Sequence, residues 1–500
     1  MELLDSLVLG LAAAATPVNL MYCLAGAVLG TLIGVLPGIG PVATVAMLLP
    51  LTFKLEPLSA LIMLSGIYYG AQYGGSTTAI LMKLPGESSS VVTALDGYEM
   101  ARRGRAGPAL AIAALGSFFA GCVATLLIAV FARPLSELAL RFGPAEYFAL
   151  MALGLVAAVA LAQGSIIKAL AMVVLGLLLG MVGTDANTGF TRFTFGLNEL
   201  NDGIGFVVVA MGLFGIAEIL LNLEQRQDRE MTIPQVGKVW PTREDFSAAW
   251  KPSVRGTLLG SLLGILPGGG AILASFAAYT LEKRLSGEPE RFGQGAIEGV
   301  VAPESANNAG AQTSFIPLLT LGIPSNPVMA LMAGGMMIHG IAPGPQVMTQ
   351  QPALFWGLIA SMWLGNVMLV VLNLPMVGLW VKLLKVPYRL LYPSILLFCC
   401  VGIYSMNYSV FDVILTAAFG LLGILLIKLG CEPAPLVLAF VLGPMMEENL
   451  RRALTLSRGD PTVFFTSPIS AGLLAAIALI LIASAFPRLY RVRQEAFKDG

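Results

Sequence analysis

Charge is what this chain has least of. Asp, Glu, Lys and Arg together make up 12% of its 500 residues, against about a quarter in ordinary soluble domains. None of the four occurs from Ser6 to Phe53, Pro57 to Met82, Ala106 to Ala132 or Pro461 to Pro487, and the run from Ser305 to Val381 lacks them for 77 residues. A spanning helix needs about 20 apolar residues. With a mean hydropathy of +0.82, these runs exclude a soluble globular fold and read as membrane spans, some of them several spans long. Histidine is reduced to His339, which excludes a His-cluster metal centre and leaves a Ser-His protease without support. The 29 Lys and Arg are balanced by 29 Asp and Glu, so no basic face is set aside for nucleic acid. The five cysteines (Cys23, Cys122, Cys399, Cys400 and Cys431) sit in apolar runs without metal-ligand spacing and read as small buried hydrophobes. Neither glycine-rich stretch continues into Gly-Lys-Ser/Thr, so no P-loop is present, and Gly38-Ile39-Gly40 interrupts an apolar span with no βαβ unit around it. The N-terminus carries Glu2 and Asp5 but no basic residue, so Ala12-Ala13-Ala14 does not read as a signal-peptide cleavage site. An enzyme is not expected.

Glycine and proline, by contrast, are placed twice in the same pattern. Gly30 to Gly40 (GTLIGVLPGIG) returns at Gly260 to Gly270 (GSLLGILPGGG), with seven of eleven positions identical. Each copy is followed by Gly-Ala-Gln, at Gly70-Ala71-Gln72 and Gly310-Ala311-Gln312, and then by Leu84-Pro85-Gly86 or Ile323-Pro324-Ser325. The Gln-to-Pro spacing differs by one residue, which marks a diverged repeat. The pattern predicts an all-α polytopic integral membrane protein of two inverted repeats with discontinuous, re-entrant helices and about 10–14 spans. Residues 1–222 form the first repeat and following spans. Residues 223–255 form a polar cytoplasmic linker, 256–381 the second repeat, and 382–500 the last spans and a basic tail. Lys83, Arg102, Arg103 and Arg105, the linker before Arg255, and Arg488, Arg491 and Arg493 are expected on the cytoplasmic side. The segment Ser325 to Gln346 has no Lys or Arg and is expected outside, which gives the two repeats opposite orientation.

Helix breaks aim free N–H groups at an anion, and freed carbonyls can hold a cation. Breaks are predicted at Pro37–Gly40, Gly74–Thr78, Pro85–Ser90, Pro267–Gly270, Asn307–Ser314 and Pro324–Asn326. Glycine at helical spacing can equally serve close helix packing, but duplication of the same Pro-Gly break beside hydroxyl and amide clusters favours a site. The substrate-binding candidates are Gly74, Gly75, Ser76, Thr77 and Thr78 with Pro85, Gly86, Ser88 and Ser89. Their counterparts are Asn307, Asn308, Gln312, Thr313 and Ser314 with Pro324, Ser325 and Asn326. Pro37, Gly38, Gly40, Pro267, Gly268 and Gly270 are candidate hinges or ion-coordinating breaks. Ser76, Thr77, Thr78, Asn307, Asn308 and Thr313 offer oxygens of the kind a sodium ion accepts. His339 reads as structural and Lys83 as an interfacial anchor. Glu87 and Glu304 flank the breaks and read equally as solvated loop residues or coupling groups.

The motifs GTLIGVLPGIGP (Gly30–Pro41), the long stretch Gly66–Gly107, GILPGGG (Gly264–Gly270) and Ala302–Pro345 resemble the TctA family, the large membrane subunit of tripartite tricarboxylate transporters. The likeness covers nearly the whole chain. It implies a bacterial inner-membrane importer of citrate-like or other organic carboxylates, driven by a sodium or proton gradient. It also implies two partners, a small four-span TctB-like membrane subunit and a periplasmic TctC-like solute-binding protein. No cofactor is expected beyond a coupling Na+ or H+. An ion channel stands as the alternative, and a membrane enzyme would need a titratable cluster within the spans that the sequence does not display.

Overall fold

The computed structural model describes residues 3–36, 39–162, 165–185, 188–225, 236–266, 270–383 and 388–485. Among these the chain is helical apart from loops and one two-residue antiparallel pair, Gly183–Thr184 with Thr191–Arg192. Six helices are long and apolar enough to cross a membrane, and shorter apolar helices accompany them. Backbone groups in lipid have no water to bond, so helices that satisfy their own N–H and C=O are the expected solution.

The first motif copy is built from α1 (Leu3–Ala14), α2 (Pro17–Gly34), α3 (Pro41–Leu48), α4 (Pro57–Met82), α5 (Val91–Met100) and α6 (Ala106–Ala139). Then follow α7 (Pro144–Leu161), α8 (Ile166–Gly180), α9 (Phe206–Ala210) and α10 (Ala217–Gln225), the last two joined by a π-helical turn at Met211–Ile216. The second copy contains α11 (Arg243–Gly264), α12 (Gly270–Leu285), α13 (Glu298–Thr313), α14 (Phe315–Leu321), α15 (Pro327–Ile338), α16 (Gln346–Gln350) and α17 (Pro352–Asn373). Seven of these helices start with signals legible in the sequence. Pro17, Pro41, Pro57, Pro144, Pro327 and Pro352 open α2, α3, α4, α7, α15 and α17, where a missing N–H costs nothing, and the Thr242 hydroxyl accepts from Asp245 N to cap α11.

Glycine decides how the helices meet. A Cβ added at Gly26, Gly30 or Gly34 of α2 would lie within 2.4 Å of the carbonyl oxygens of Met63, Ile67 and Ala71 on α4. On the other side, Gly256, Gly260 and Gly264 of α11 stand in the same relation to Ala302, Ala306 and Gly310 of α13. Small residues every fourth position let two helix backbones approach this closely. The helix positions correspond at a constant offset of 230 on the glycine side and 239 on the partner side. The second offset also matches Pro85 to Pro324. It therefore slips the Gly-Ala-Gln identity by one residue and removes the apparent spacing difference between the copies. The long helix α6 then packs on α13, where Gly116 faces Val301 and Ser305.

Several expectations are corrected. Gly74–Thr78 is not a break, because α4 runs continuously through it, and Asn307–Thr313 is likewise inside α13, with only Ser314 at the junction to α14. The hydroxyls explain this. Thr77 and Thr313 each donate to the carbonyl four residues back and so satisfy themselves within the helix, and the oxygens of Ser76 and Thr78 lie 3.1 and 3.2 Å from theirs while their single protons serve closer acceptors on other segments. The expected surface linker ends early, since α11 begins at Arg243 and buries Ala249 and Pro252. Glu304 sits on α13 and is 1% exposed. Glu87 is also buried, so neither carboxylate is a solvated loop residue. Pro37, Gly38, Pro267 and Gly268 lie outside the described residues.

A further tie joins the two copies. Asp96 of α5 is fully buried and accepts hydrogen bonds from the backbone N–H groups of Gly293, Gly295 and Ala296 at 2.8–2.9 Å, and from the Tyr279 hydroxyl at 2.9 Å.

Gly30→Ala and Gly260→Ala are expected to lower thermal stability in detergent by about 1–3 kcal/mol each, because overpacking forces the helices apart. Gly378→Ala, which has open space around it, should leave the melting temperature unchanged. An unshifted melt for the first two would remove glycine packing as the basis of the helix pairs.

Candidate functional site

After the helix α4 the chain turns at Lys83, which adopts the left-handed conformation at φ 56°. It then runs extended through Glu87 (φ −144°, ψ 159°) into the turn Ser88–Ser90 and α5. The second copy does the same. Gly322 turns at φ 74°, Asn326 is extended (φ −152°, ψ 171°), and α15 follows. Glu87 and Asn326 thus occupy corresponding positions, each two residues after the matched proline. The Asn326 carbonyl oxygen Oδ1 accepts from Met329 N at 2.9 Å, a side-chain cap on the first turn.

Both of these tips border one cavity of 390 Å³, within the size range of small-molecule sites. Gly40, Pro41 and Val42 at the start of α3 line it, as do Pro85 to Ser89, Ala271 and Ile272 in the first turn of α12, and Asn326 to Val328. Four helix beginnings, two from each motif copy, therefore converge on one space, and a fifth, that of the helix Ala434–Leu456, borders it through Glu432–Pro435. First-turn N–H groups have no partner within their own helix, and the helix dipole places a partial positive charge at that end. Among the described residues that line the cavity none is Lys, Arg or His, whereas Glu87, Glu218 and Glu432 are present. Tyr68, Phe214 and Leu438 contribute to the remaining wall.

A buried polar network joins the copies behind this wall. Gln72 Nε2 donates to Asn307 Oδ1 at 3.2 Å, and Asn307 Nδ2 donates to Glu87 Oε1 at 2.7 Å. The other Gln72 oxygen, Oε1, has no hydrogen-bond partner among the described residues although the side chain is buried, and Gln72 borders the cavity. One turn further along, Ser76 and Thr93 donate to the two oxygens of Glu304 at 2.5 and 2.7 Å. Gln312 belongs to a separate group, accepting from Thr125 at 2.5 Å and donating to Asn366 at 3.0 Å.

Of the residues singled out from the sequence, Gly40, Pro85, Gly86, Ser88, Ser89 and Asn326 border the large cavity. Gly75 and Gly86 instead bring the first tip onto α4, since a Cβ on Gly86 would stand 2.4 Å from Gly75 Cα. Gly74 and Thr78 hold α4 to the end of α2, the latter by donating to Val35 O at 2.7 Å. Thr313 packs on Gly264, and Ser314 bonds Ala311 O. Ser325 donates to Ser314 O at 3.4 Å. Asn308 donates to Ser117 Oγ at 2.7 Å. Gly270 opens α12, one residue before the lining begins, and Pro324 likewise precedes it. Sequence reasoning missed Glu218, Glu432, Tyr68 and Phe214. For Glu218 a signal was available: it is a carboxylate inside the apolar span Phe206–Glu224, and intramembrane carboxylates are rare outside functional sites.

The model of the tripartite tricarboxylate transporter TctA family matches residues 20–438, which spans both glycine-paired helix sets and the four helix beginnings that the motif copies bring to the cavity. The chain belongs to the TctA family. It is 61% identical over 499 residues, covering 100% of this chain and 99% of the relative, to the "Uncharacterized 52.8 kDa protein in TAR-I ttuC' 3'region" of Agrobacterium vitis. It is 60% identical over 240 residues, 48% of this chain and 99% of the relative, to the "Uncharacterized protein in TAR-II ttuC' 3'region" of the same organism. No solved structure matches. Membership of TctA and the six long apolar helices make this a multi-pass membrane protein of a transporter family, not of an enzyme family.

Removing one member of the buried network leaves its partners unsatisfied, at about 1–3 kcal/mol. Asn307→Ala and Gln72→Ala are expected to destabilise the purified TctA chain, and the double variant should lose less than the sum, with about 0.5–3 kcal/mol of coupling. Strict additivity in thermal unfolding would show that the two side chains do not act together.

Proposed function

We propose that this TctA chain is the large membrane subunit of a binding-protein-dependent secondary transporter for tricarboxylates or related organic carboxylates. The observation that carries the reading is the convergence of four helix beginnings, two from each motif copy, on one 390 Å³ cavity whose described lining holds no basic side chain. An organic carboxylate there is held by backbone N–H groups and dipoles, and Gln72 borders the same space. Three wall carboxylates oppose a bare anion, so the substrate enters with compensating cations or protons. That requirement ties anion movement to a sodium or proton gradient.

The two motif copies are read as inverted repeats, in line with the basic loop at 83–105 and the Lys- and Arg-free stretch from Ser325 to Gln346. Alternating access then exposes the cavity between them to each side in turn. Pro37–Gly40 and Pro267–Gly270 serve as the hinges, and the tips at Pro85–Ser89 and Pro324–Asn326 as the paired substrate clamps. The subunit works in a bacterial inner membrane, its C-terminus cytoplasmic, with a small four-span subunit and a periplasmic solute-binding protein that delivers the carboxylate.

The test is uptake of labelled di- and tricarboxylates by proteoliposomes holding this chain, the small subunit and the binding protein, under imposed sodium or proton gradients. Concentrative uptake that follows one gradient and needs the binding protein is expected. Leak that ignores both gradients and needs no partner would make the protein a channel. Gly38→Leu and Gly268→Leu should abolish uptake while leaving membrane insertion intact. Asn326→Asp, which adds a negative charge at the cavity, should raise KM about tenfold, or about 1.4 kcal/mol.

A further inference from the structure

A second cavity lies one helical turn from the first, and nothing in the carboxylate reading uses it. Its volume is 20 Å³, about that of one water-sized sphere. It is lined by α4, α6, α13, the end of α17 and Val377 just beyond it, so both motif copies contribute. Its polar lining is made of oxygen-bearing side chains: the Glu304 carboxylate, Ser76, Thr77, Ser117, Tyr73 and Asn373. Asn373 is 4% exposed, and its orientation is fixed because Nδ2 donates to Leu369 O at 2.9 Å. That leaves Asn373 Oδ1 buried with no hydrogen-bond partner among the described residues. A buried acceptor without a donor costs about 1–3 kcal/mol, and a cation is the ligand that satisfies an acceptor without bringing a proton.

The remaining groups fit the same ligand. Ser76 and Thr93 donate their protons to Glu304, Thr77 donates to Tyr73 O at 3.2 Å, and Ser117 Oγ accepts from Asn308. With their protons committed elsewhere, the hydroxyls of Ser76 and Thr77 retain lone pairs as ligands. Glu304 is 1% exposed and has no Lys or Arg partner among the described residues. A carboxylate buried without a counter-charge is costly in a membrane protein. One monovalent cation neutralises it, whereas a divalent one would leave an uncompensated positive charge. Hard oxygen ligands and single-ion volume select a small alkali cation over a soft metal.

We propose that this cavity, formed by Glu304, Ser76, Thr77, Ser117 and Asn373, binds a single sodium-sized monovalent cation. The site deepens the transporter reading by assigning the coupling ion a place, and it rests on that reading only for the coupling. The connection to the large cavity is short. On α4, Ser76 faces the small cavity and Gln72, whose backbone carbonyl oxygen lies 3.1 Å from Ser76 Oγ, faces the large one. On α13, Glu304 faces the small cavity and Asn307, three residues on, bonds Glu87 at the large one.

The experiment is equilibrium binding of radiolabelled Na+ to the purified full-length chain in choline buffer at fixed pH. Saturable binding, displaced by unlabelled Na+ and not by K+, is expected. Asn373→Leu and Thr77→Val should each weaken it about tenfold or more, and Glu304→Gln should abolish it, with folding checked by gel filtration. Should Glu304→Gln not fold, the other two variants carry the test. Absence of saturable Na+ binding in the wild type, or wild-type affinity in Asn373→Leu, overturns the site. Carboxylate uptake driven by protons alone, without Na+ binding, overturns this site and leaves the transporter reading standing. Intact Na+ binding without carboxylate uptake under either gradient does the reverse.

Discussion

The close approach of α2 to α4 and of α11 to α13 is the constraint on which the rest of the structure depends. Three glycines on each first helix sit against three carbonyls on its partner. Any side chain there would push the helices apart, so the registers of α4 and α13 are fixed from outside. Once they are fixed, the residues on their other faces have determined positions. Gln72, Ser76, Glu304 and Asn307 meet in the middle because α4 and α13 are each held by their own glycine helix. The same packing holds the start of α3, and with it one wall of the large cavity.

A polar site inside an apolar body is built here by two different devices. Around the large cavity, polarity comes from backbone: helix beginnings and the extended tips at Glu87 and Asn326. Around the small cavity it comes from side chains on unbroken helices, where hydroxyls first satisfy themselves and then present lone pairs. The first device suits an anion and tolerates various shapes. The second suits one small cation and is strict in size. Both are lined by α4, and α13 lines the small one while its Asn307 bonds Glu87 at the large one, so occupancy of one bears on the geometry of the other.

The glycine repeat was legible in the sequence because it survives as identity, and the tips were legible because Pro85-Gly86-Glu87 and Pro324-Ser325-Asn326 carry start-of-helix chemistry. The hydroxyl- and amide-rich stretches at Gly74–Thr78 and Asn307–Ser314 misled for a physical reason. Such residues are weak helix formers in water, but in a water-poor interior Thr77 and Thr313 bond the carbonyl four residues back and the helix persists. The one-residue slip at Gly-Ala-Gln arose because short identities are matched more easily than contact geometry; Gln72 and Gln312 look equivalent and join different networks. Glu218 went unremarked because its span is otherwise apolar, and its value lies in a wall contributed by helices far apart in sequence.

The carboxylate of Asp96 holds the loop N–H groups of Gly293, Gly295 and Ala296 and a tyrosine hydroxyl across the seam between the copies. A charged acceptor contributes about 1.5–3 kcal/mol per hydrogen bond, so parting the seam at this point would break four such bonds at once. Any displacement cheap enough to recur many times a second must carry α5 and the 293–296 loop together. Asp96 therefore acts as a rivet between α5 and the 293–296 loop.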